Sequence, residues 1–539
     1  MKLKYTGLLI VLAGLLVSSC KKQTTIFNDP YANAKAPLGI ITDPQQIPVP
    51  ASGAAGIQVS ITATGLVDYF KAGRLKFLFN GSEAAINEVT ATGIKVTVPV
   101  KASSGVTAFV VDGQLVFGPI FTVIGKVNID PTFVNVVGAD NTVRQAFPIP
   151  LTTQLMLMGN FTNYANAGTI VRTNRIVRTF ADGSWDRSFL SGKGADAFVY
   201  SMAQVGPYYY IVGDFSSYAQ QSGGVSKIAK IQTSGIIDTM SVTTYTLKTR
   251  FVPTFNGGVT GGGIHAIYPV GTNKMIISGG FTYYVSRRYD QNSYNAKDST
   301  IIDSVDVRQL ARLNDDGTLD RTWRFDQTAV GYKGLPGKSW AGANGPINTV
   351  QDPSGKILVY GRFTSFDGAP AGNIIRIDDV TGKADPTFNA GVGTDADIIR
   401  VEYNATLNKY IVVGLFNKYN GKASQYMVQL NYDGSVDAGF TPKVFDGGYP
   451  GYAKILSDGL IVLNGSFKSY DGVIRNGFAI INQTGALQDG YNTTGNLTGT
   501  IGDTYETRSA DNKRALLIMG NFSSFDGKIR NNIVRVTLE

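Results

Sequence analysis

The stretch YGRFTSFDG, Tyr360–Gly368, contains the pattern that decides the fold. Its glycine, first phenylalanine and second aromatic residue recur six more times in the chain as G-x-F-x-x-[FY]. The seven copies are Gly159–Tyr164, Gly213–Tyr218, Gly279–Tyr284, Gly361–Phe366, Gly414–Tyr419, Gly465–Tyr470 and Gly520–Phe525. Self-similarity at intervals of 51 to 82 residues indicates a repeat architecture.

A second landmark follows most copies: a glycine turn, then an acidic residue, often then an aromatic one. It is clearest in ADGSWDRSF, DDGTLDRTW, VTGKADPTF and YDGSVDAGF. In the fourth copy, INTVQ predicts a strand A, KILVYGRFT a strand B and NIIRIDD a strand C, with strand D around ADPTF. DPSG and DVTG predict tight turns from A to B and from C to D. About 50 residues and four strands per unit are typical of a β-propeller blade.

The same residues resemble the delta-60 repeat β-propeller family, whose blades carry G-x-F on one strand and DG-x-x-D-x-x-F at a turn. The resemblance covers residues 126–539. The seventh unit ends after strand C, in NNIVRVTLE, whereas VNIDPTF, Val127–Phe133, precedes the first unit. Its DPTF is identical to Asp385–Phe388 in a predicted strand D. We therefore predict that Val127–Phe133 completes the last blade and closes a seven-bladed ring.

The composition agrees with an all-β protein. Hydrophobic residues make up 43% of the 539 positions and charged residues 17%, which is typical of a folded chain. The 63 glycines, 28 phenylalanines and 27 tyrosines favour many short strands joined by turns. The net charge of +9 comes from scattered basic residues with no run longer than two. We therefore expect no binding of nucleic acid.

The N-terminus predicts a lipid anchor. Lys2 and Lys4 precede an apolar stretch, TGLLIVLAGLLVS, and then VSSC ends at Cys20, the only cysteine. VSSC resembles a bacterial lipobox, which implies a signal peptide over residues 1–19, a lipidated Cys20 and a polar tether over residues 20–36. The alternative is an ordinary signal peptide with an incidental cysteine. We predict an outer membrane lipoprotein; the Lys-Lys-Gln after Cys20 leaves open whether it faces the cell surface or the periplasm.

Residues 37–125 predict a small β-sandwich. Five segments, GIQVSITATG, RLKFLFNG, GIKVTVPV, VTAFVVDG and GPIFTVIG, alternate with a period of two and end at turn residues. Their order resembles an IPT/TIG immunoglobulin-like domain. This resemblance implies a spacer, and ligand contact by this domain is the alternative.

The repeated residues predict framework roles. We expect the seven repeated phenylalanines to pack between blades, and the repeated glycines to relieve crowding or allow a bulge. We expect Asp186, Asp320, Asp385 and Asp437 to accept hydrogen bonds from turn backbones. Structural calcium at the DG turns is an alternative, but no D-x-[DN]-x-[DN]-G loop is present. We predict no cofactor and no metal site.

Catalytic motifs are sparse. His265 is the only histidine, and a lipidated Cys20 excludes Cys-His chemistry. No G-x-S-x-G, P-loop or H-E-x-x-H is present. His265 follows GGGI at a predicted start of strand A, where we expect a satisfied or exposed histidine. Paired carboxylates for glycoside cleavage stay open, because no spacing singles out a pair.

Departures from the repeat concentrate in one sector. The B–C loops and the D–A links lie on one face of a propeller, and the A–B and C–D turns lie on the other. Blade three has a long B–C insertion from Tyr283 and a long following link from Asp326, and the link before it, around TYTLKTRFVPTFNGGVTGGG, is also long. Trp185 and Trp323 occupy framework positions, whereas Trp340 lies outside the repeat.

These enlarged loops supply the candidate binding residues, which are Trp340, Tyr332, Tyr283, Tyr289, Tyr294, Arg287 and Arg288. Aromatic rings with polar neighbours suit sugar rings, which offer C–H faces and hydroxyl groups. The alternative is a loop packed on itself.

Lipoproteins of this layout resemble glycan-binding accessories of polysaccharide-uptake systems in Gram-negative bacteria. The resemblance implies a non-catalytic protein that binds a polysaccharide or oligosaccharide through the B–C/D–A face. The alternatives are a glycan-cleaving propeller, either glycosidase or lyase, and a scaffold that docks an envelope transport partner. Loop carboxylates about 5 to 10 Å apart would favour the enzyme, and a large apolar patch would favour the scaffold.

Overall fold

The structure is a computed structural model that describes residues 35–166, 172–244, 246–289, 300–331, 334 and 336–539. It contains an N-terminal β-sandwich followed by a ring of seven antiparallel sheets. This arrangement confirms the predicted all-β fold with an immunoglobulin-like sandwich and a seven-bladed propeller.

The sandwich is one sheet folded into two layers around a shared core. Its strands pair in the order β1-β7-β6-β3-β4-β5-β2. Strand β4 pairs with β3 through Ser82–Ala84 and with β5 through Ala85–Val89, and so passes from one layer to the other. The elements are β1 (Ser52–Gly53), β2 (Gln58–Thr62), α1 (Val67–Lys71), β3 (Leu75–Phe79), β4 (Ser82–Val89), β5 (Gly93–Thr97), β6 (Gly105–Val111) and β7 (Gln114–Val123).

Each blade consists of strands A, B and C in antiparallel order. The first strand of the ring is β8 (Val127–Ile129). Blades 1 to 3 are β9 (Val143–Pro148), β10 (Leu155–Gly159) and β11 (Ile176–Thr179); β12 (Val199–Val205), β13 (Tyr208–Gly213) and β14 (Ile228–Gln232); β18 (Ile264–Val270), β19 (Lys274–Gly279) and β22 (Leu310–Asn314). Blades 4 to 7 are β25 (Ile347–Gln351), β26 (Ile357–Gly361) and β29 (Ile374–Ile377); β30 (Ile398–Asn404), β31 (Lys409–Gly414) and β34 (Met427–Asn431); β36 (Pro450–Ile455), β37 (Ile461–Gly465) and β40 (Phe478–Ile481); β41 (Leu497–Arg508), β42 (Arg514–Phe525) and β44 (Ile533–Leu538).

Additional strands extend the links and the B–C loops. In the enlarged sector they are β15 (Thr239–Thr243) with β16 (Thr249–Pro253), β17 (Gly257–Thr260) with β20 (Tyr283–Arg288) and β21 (Ile301–Asp306), and β23 (Phe325–Val330) with β24 (Pro336–Ser339). The others are β27 (Ser365–Phe366), β28 (Ala369–Pro370), β32 (Lys418–Tyr419), β33 (Lys422–Ala423), β35 (Phe445–Asp446), β38 (Ser469–Tyr470), β39 (Val473–Ile474) and β43 (Lys528–Ile529).

The ring closes as the sequence predicts. Strand β8 pairs antiparallel with β44 of the seventh blade. Asp130 donates its N–H to the carbonyl of Arg535 at 2.9 Å. The side chains of the same two residues form an ion pair that is at most 2% exposed on either side. The N-terminal strand thus covers the edge that the last blade would otherwise leave unpaired.

Strand D is shorter than expected in the first six blades, where one bridge replaces it. The bridges join Thr179 to Trp185, Ile231 to Ile237, Leu313 to Leu319, Ile377 to Ala384, Leu430 to Val436 and Ile481 to Leu487. In five of the six blades an aspartate follows the bridge. In four of these blades the carboxylate, that of Asp186, Asp320, Asp385 or Asp437, accepts from the backbone N–H two residues ahead. Such a local hydrogen bond competes with strand pairing, so the chain turns there and strand D stays short.

Asp385 illustrates this aspartate. Its Oδ1 accepts from the N–H and the hydroxyl of Thr387 at 3.0 and 2.7 Å, as predicted. Its Oδ2 also accepts from Lys356 and Arg376 at 2.7 and 2.8 Å, two partners that the sequence did not indicate. Burial favours the neutral carboxyl, but these hydrogen bonds outweigh it and hold the pKa of Asp385 well below its usual range.

The repeated glycines are required by close approach of two strands. Each of the seven glycines pairs with one residue of strand A. A Cβ atom on the glycine would lie 2.0–2.3 Å from the carbonyl oxygen of the residue that precedes this partner. In six blades the register shifts at this pair, and one residue of strand A is left unpaired as a β-bulge. Both predicted roles of the glycine, relief of crowding and accommodation of a bulge, are confirmed.

The repeated aromatic residues are framework, as predicted. The seven phenylalanines of G-x-F are at most 3% exposed. Five copies carry tyrosine as the second aromatic residue, and each hydroxyl donates to the carbonyl of the C–D turn glycine. In blade 4 Phe366 lacks this hydroxyl, and Arg324 donates to Gly382 at 3.0 Å instead. In blade 7 the fourth strand is β8, which does not follow strand C along the chain. This blade therefore has no C–D turn glycine whose carbonyl would need a hydrogen-bond donor from Phe525.

The sandwich contacts the last two blades. Ser104 donates its N–H and its hydroxyl to the carbonyl of Thr493 at 2.8 and 3.0 Å. Arg475 donates to the carbonyl of Lys101 at 3.2 Å. These bonds tie the first part of the chain to the propeller at the ring-closing blades.

Candidate functional site

The seven A strands surround a central cavity of about 510 Å³. Every blade contributes to its lining, so the cavity lies at the centre of the ring. The lining residues are Arg144, Gln145, Tyr200, Ser201, His265, Ala266, Tyr268, Asn348, Thr349, Val350, Gln351, Tyr360, Arg400, Val401, Glu402, Lys454 and Asp503. Most are polar or charged, in contrast to the apolar packing between blades.

Three of the lining residues owe their position to the β-bulges. Arg144, Tyr200 and His265 are the unpaired bulge residues of blades 1, 2 and 3. A bulge removes one residue from the hydrogen-bond ladder and redirects its side chain. Because strand A begins at the face of the B–C loops and D–A links, these residues lie at that end of the cavity. The framework glycine therefore also positions the candidate site.

Two cations in the cavity have carboxylate partners of their own. Arg400 and Glu402 are two residues apart on β30 and leave the strand on the same side. Arg400 Nε donates to Glu402 Oε1 at 2.7 Å, and Lys454 Nζ donates to Asp503 Oδ1 at 3.0 Å. Burial opposes the charge on both cations, but the neighbouring carboxylates outweigh it and raise the pKa of Arg400 and of Lys454.

The third cation, Arg144, is held differently. Its Nη1 donates to the carbonyl of Gly502 at 2.9 Å. No carboxylate of the described residues lies within 4.0 Å of its guanidinium nitrogens. Burial, and after it the positive charge of Arg400, lowers the pKa of Arg144. The cavity thus holds a cation with unused donors next to a second cation.

His265 and Tyr200 form an aromatic wall beside Arg144. Their rings meet edge to face, with centroids 5.2 Å apart, and Tyr200 also stacks on Phe198 at 4.3 Å. Tyr200 donates its hydroxyl to Asp214 Oδ2 at 2.8 Å. Burial raises the pKa of Tyr200 to about 12, and the bond to Asp214 adds to this.

The surroundings of His265 favour its neutral form. Burial of the imidazole lowers its pKa. The carboxylate of Asp214 opposes this shift, and the positive charge of Arg144 adds to it. The side chain is nevertheless open to solvent inside the cavity. A neutral imidazole offers one donor and one acceptor to a ligand.

The part of the lining next to His265, on blades 3 and 4, carries neutral hydroxyl groups. A hydrogen bond of 2.9 Å joins Tyr268 to Thr349, and a second bond of 2.6 Å joins Thr349 to Ser278. Burial raises the pKa of Tyr268 and of Tyr360. Fixed donors, fixed acceptors and ring faces together suit a small polar ligand.

Trp340, which the sequence singles out, lines a different cavity of about 560 Å³. It follows β24, donates its N–H to the carbonyl of Arg324 at 3.0 Å, and its ring lies 5.4 Å from the Arg324 guanidinium carbon. The cavity lies between β21 and the β23–β24 hairpin. Its other lining residues are Val305, Asp306, Arg308, Phe325, Val330, Gly331, Gly337, Lys338, Ser339 and Ala341.

The other candidates that the structure describes do not line this cavity. Tyr283, Arg287 and Arg288 are on β20, and Tyr289 follows it. Tyr283 is 44% exposed, whereas Arg287 is buried and donates to Ser226 Oγ at 2.6 Å. Arg288 lies 3.6 Å from Asp303. Tyr294, Tyr332 and Cys20 lie outside the described residues.

The sequence contained a signal for the central cavity that the loop argument missed. Polar residues occur within strand A, where Arg400 and Glu402 interrupt IIRVEYN and His265 and Tyr268 interrupt IHAIYPV. A charged residue on an innermost strand has only the central channel in which to stay hydrated.

Two features are absent from the described part of the chain. No group of three or more His, Cys, Asp or Glu side chains there is arranged to hold a metal ion. No helix in those ranges is long and apolar enough to cross a membrane.

The ring of seven blades and its polar centre define an all-β propeller protein with an immunoglobulin-like sandwich in front. Residues 353–388 and 408–440, in blades 4 and 5, match the β-propeller domain of unknown function DUF5122. Residues 16–119 match the domain of unknown function DUF5008. No curated protein sequence matches the chain.

Solved structures with a similar arrangement are distant. Two are auxiliary nutrient binding proteins, from Bacteroides thetaiotaomicron VPI-5482 (10% identity, TM-score 0.30) and Bacteroides ovatus ATCC 8483 (13%, 0.28). Both alignments cover 92% of this chain and 98% of the other. A third is the Dos1 propeller, 10% identical over 74% of this chain and 93% of that one, with a TM-score of 0.31. At these values the likenesses carry no argument about what this chain binds.

Proposed function

We propose that this protein is a non-catalytic, lipid-anchored protein of the cell envelope that binds carbohydrate in the central cavity of its propeller. The observation that carries the proposal is the cavity lining, where polar groups from all seven blades surround a space of about 510 Å³. This volume falls within the range of about 300–1,000 Å³ that is usual for small-molecule sites.

The lining has the chemistry that a sugar requires. Hydroxyl and charged groups of the lining are held by hydrogen bonds to their neighbours, so they are ordered before a ligand arrives. Ordered donors and acceptors lose little conformational entropy on binding. The Tyr200 and His265 rings supply the apolar surface that sugar C–H faces need.

The cavity also holds two carboxylates, Glu402 and Asp503, which is the observation that favours the enzyme alternative. Each carboxylate is engaged by a cation, Arg400 or Lys454. This engagement supports binding over catalysis, because a glycosidase needs one carboxyl group free to donate a proton. Analysis of products after incubation with each bound glycan separates the two functions.

Binding is tested by retardation of the full-length protein, in detergent, through gels that contain single polysaccharides. Ala266 lines the cavity, so Ala266→Phe places a ring in it and should abolish retardation. Trp340→Ala alters the other cavity and should leave retardation unchanged. The opposite pattern would move the site to the enlarged loops, and absence of retardation by every polysaccharide would contradict the function.

Anchoring at Cys20 is a separate part of the proposal. Labelled palmitate should enter the wild-type protein and should not enter Cys20→Ser. Labelling of the variant would contradict the anchor and leave the binding proposal untouched.

A further inference from the structure

Resting on the proposed function, we propose that the bound carbohydrate is acidic and that its carboxylate pairs with Arg144 in the central cavity. The bulge of blade 1 directs this side chain into the cavity, and its nearest described partner is one backbone carbonyl, that of Gly502. The inference concerns the charge of the ligand, which the proposed function alone leaves open.

The charges of the lining favour an anion. Arg400 and Lys454 are matched by Glu402 and Asp503, which leaves the positive charge of Arg144 in excess. Asp214 lies behind Tyr200 and accepts its hydroxyl, and the ammonium of Lys227 lies against the Asp214 backbone. A partly buried cation beside a like charge is costly unless a partner compensates it.

The geometry favours a sugar acid over a free anion. A guanidinium binds a planar carboxylate through two parallel hydrogen bonds. Tyr200 and His265 are the bulge residues of blades 2 and 3, so their rings lie at the same end of the cavity as Arg144. A uronic acid presents a carboxylate next to a ring with hydroxyl groups and C–H faces, and so matches both features.

His265 gives a direct readout, because it is the only histidine of the chain. Its imidazole signal in an NMR spectrum of the full-length protein, made without a polyhistidine tag, is therefore unambiguous. Arg144 lowers the pKa of His265. We expect Arg144→Gln to raise this pKa, and we expect a carboxylate that neutralises Arg144 to raise it in the wild type.

The probes are oligogalacturonate and its methyl ester, which differ only in the charged group. Oligogalacturonate should bind and shift the His265 titration, and the neutral ester should do so at least about tenfold more weakly. Arg144→Gln should lose the preference, and Arg144→Lys should keep part of it. The matched control is Arg362→Gln, because Arg362 is exposed on the same face and should have no effect.

The outcomes separate the two proposals. Equal binding of acid and ester, or unchanged binding to Arg144→Gln, would overturn the charge inference and leave carbohydrate binding in place. Equally tight, Arg144-dependent binding of citrate would show that Arg144 selects a carboxylate and would overturn the assignment of that carboxylate to a carbohydrate. If no anion moves the His265 signal, the inference is wrong.

Discussion

The substitution Gly279→Ala tests whether the repeated glycine is set by strand approach. Gly279 pairs with Ile264, and a Cβ there would lie 2.2 Å from the Gly263 carbonyl oxygen and 3.0 Å from the His265 nitrogen. Contacts under 3.0 Å essentially never occur, so one strand must move by nearly an ångström. Forced shifts of this kind cost about 1–3 kcal/mol. The 3.1 Å bond from Gly280 N–H to the Gly263 carbonyl would weaken too, adding about 1 kcal/mol.

We therefore expect Gly279→Ala to lower the free energy of unfolding by about 2–4 kcal/mol. The control is its neighbour, Gly280→Ala, whose Cβ would meet nothing within 4 Å. That change should stay within about 0.5 kcal/mol. Urea unfolding followed by tryptophan fluorescence measures both, and Gly279→Ala should also displace the His265 NMR signal. Equal stability of the two variants would refute the argument.

Three further predictions concern the framework. Asp130→Ala leaves the buried charge of Arg535 without its partner, so urea unfolding should show a loss of about 3–5 kcal/mol; a loss under 1 kcal/mol would contradict the closure argument. Tyr419→Phe leaves the Gly434 carbonyl without its 2.9 Å donor and should cost about 1–3 kcal/mol in the same assay; no change would mean that the hydroxyl is dispensable. Because the folded state holds the pKa of Asp385 below its unfolded value of about 3.9, its ionised form stabilises the fold above that pH, and this stability is lost as the pH falls through the folded pKa. A pH series of urea midpoints should therefore fall below about pH 4, and less steeply in Asp385→Asn; parallel curves would contradict this.

The fold was predictable because its causes recur. Each blade needs one glycine where strand B approaches a carbonyl oxygen of strand A, and one phenylalanine that packs between blades. The chain therefore repeats both residues seven times. The closing strand was predictable for the same reason, since Val127–Phe133 repeats the DPTF of Asp385–Phe388. Strand D was overestimated, because in four blades the aspartate after the bridge bonds to the backbone two residues ahead and turns the chain at once.

The candidate site was harder to predict because each of its residues occurs once. Arg144, Tyr200 and His265 share no side-chain chemistry; they share a place in strand A that only the register shift reveals. Loop length is visible in a sequence, and it directed attention to Trp340 and the enlarged sector. A bulge adds one residue to a strand without lengthening any loop, so its effect appears only when strands A and B are paired.

The same bulge explains how one framework can carry different sites. Its geometry is set by the glycine on strand B, which the fold needs in every blade, whereas the bulge residue itself makes no ladder bond. Its identity is therefore free to vary: blades 6 and 7 have Gly451 and Gly502 at this place. Three adjacent blades have Arg144, Tyr200 and His265 instead. The fold does not constrain the residue at this position. Large polar side chains there in three neighbouring blades therefore indicate a binding site built on the repeat.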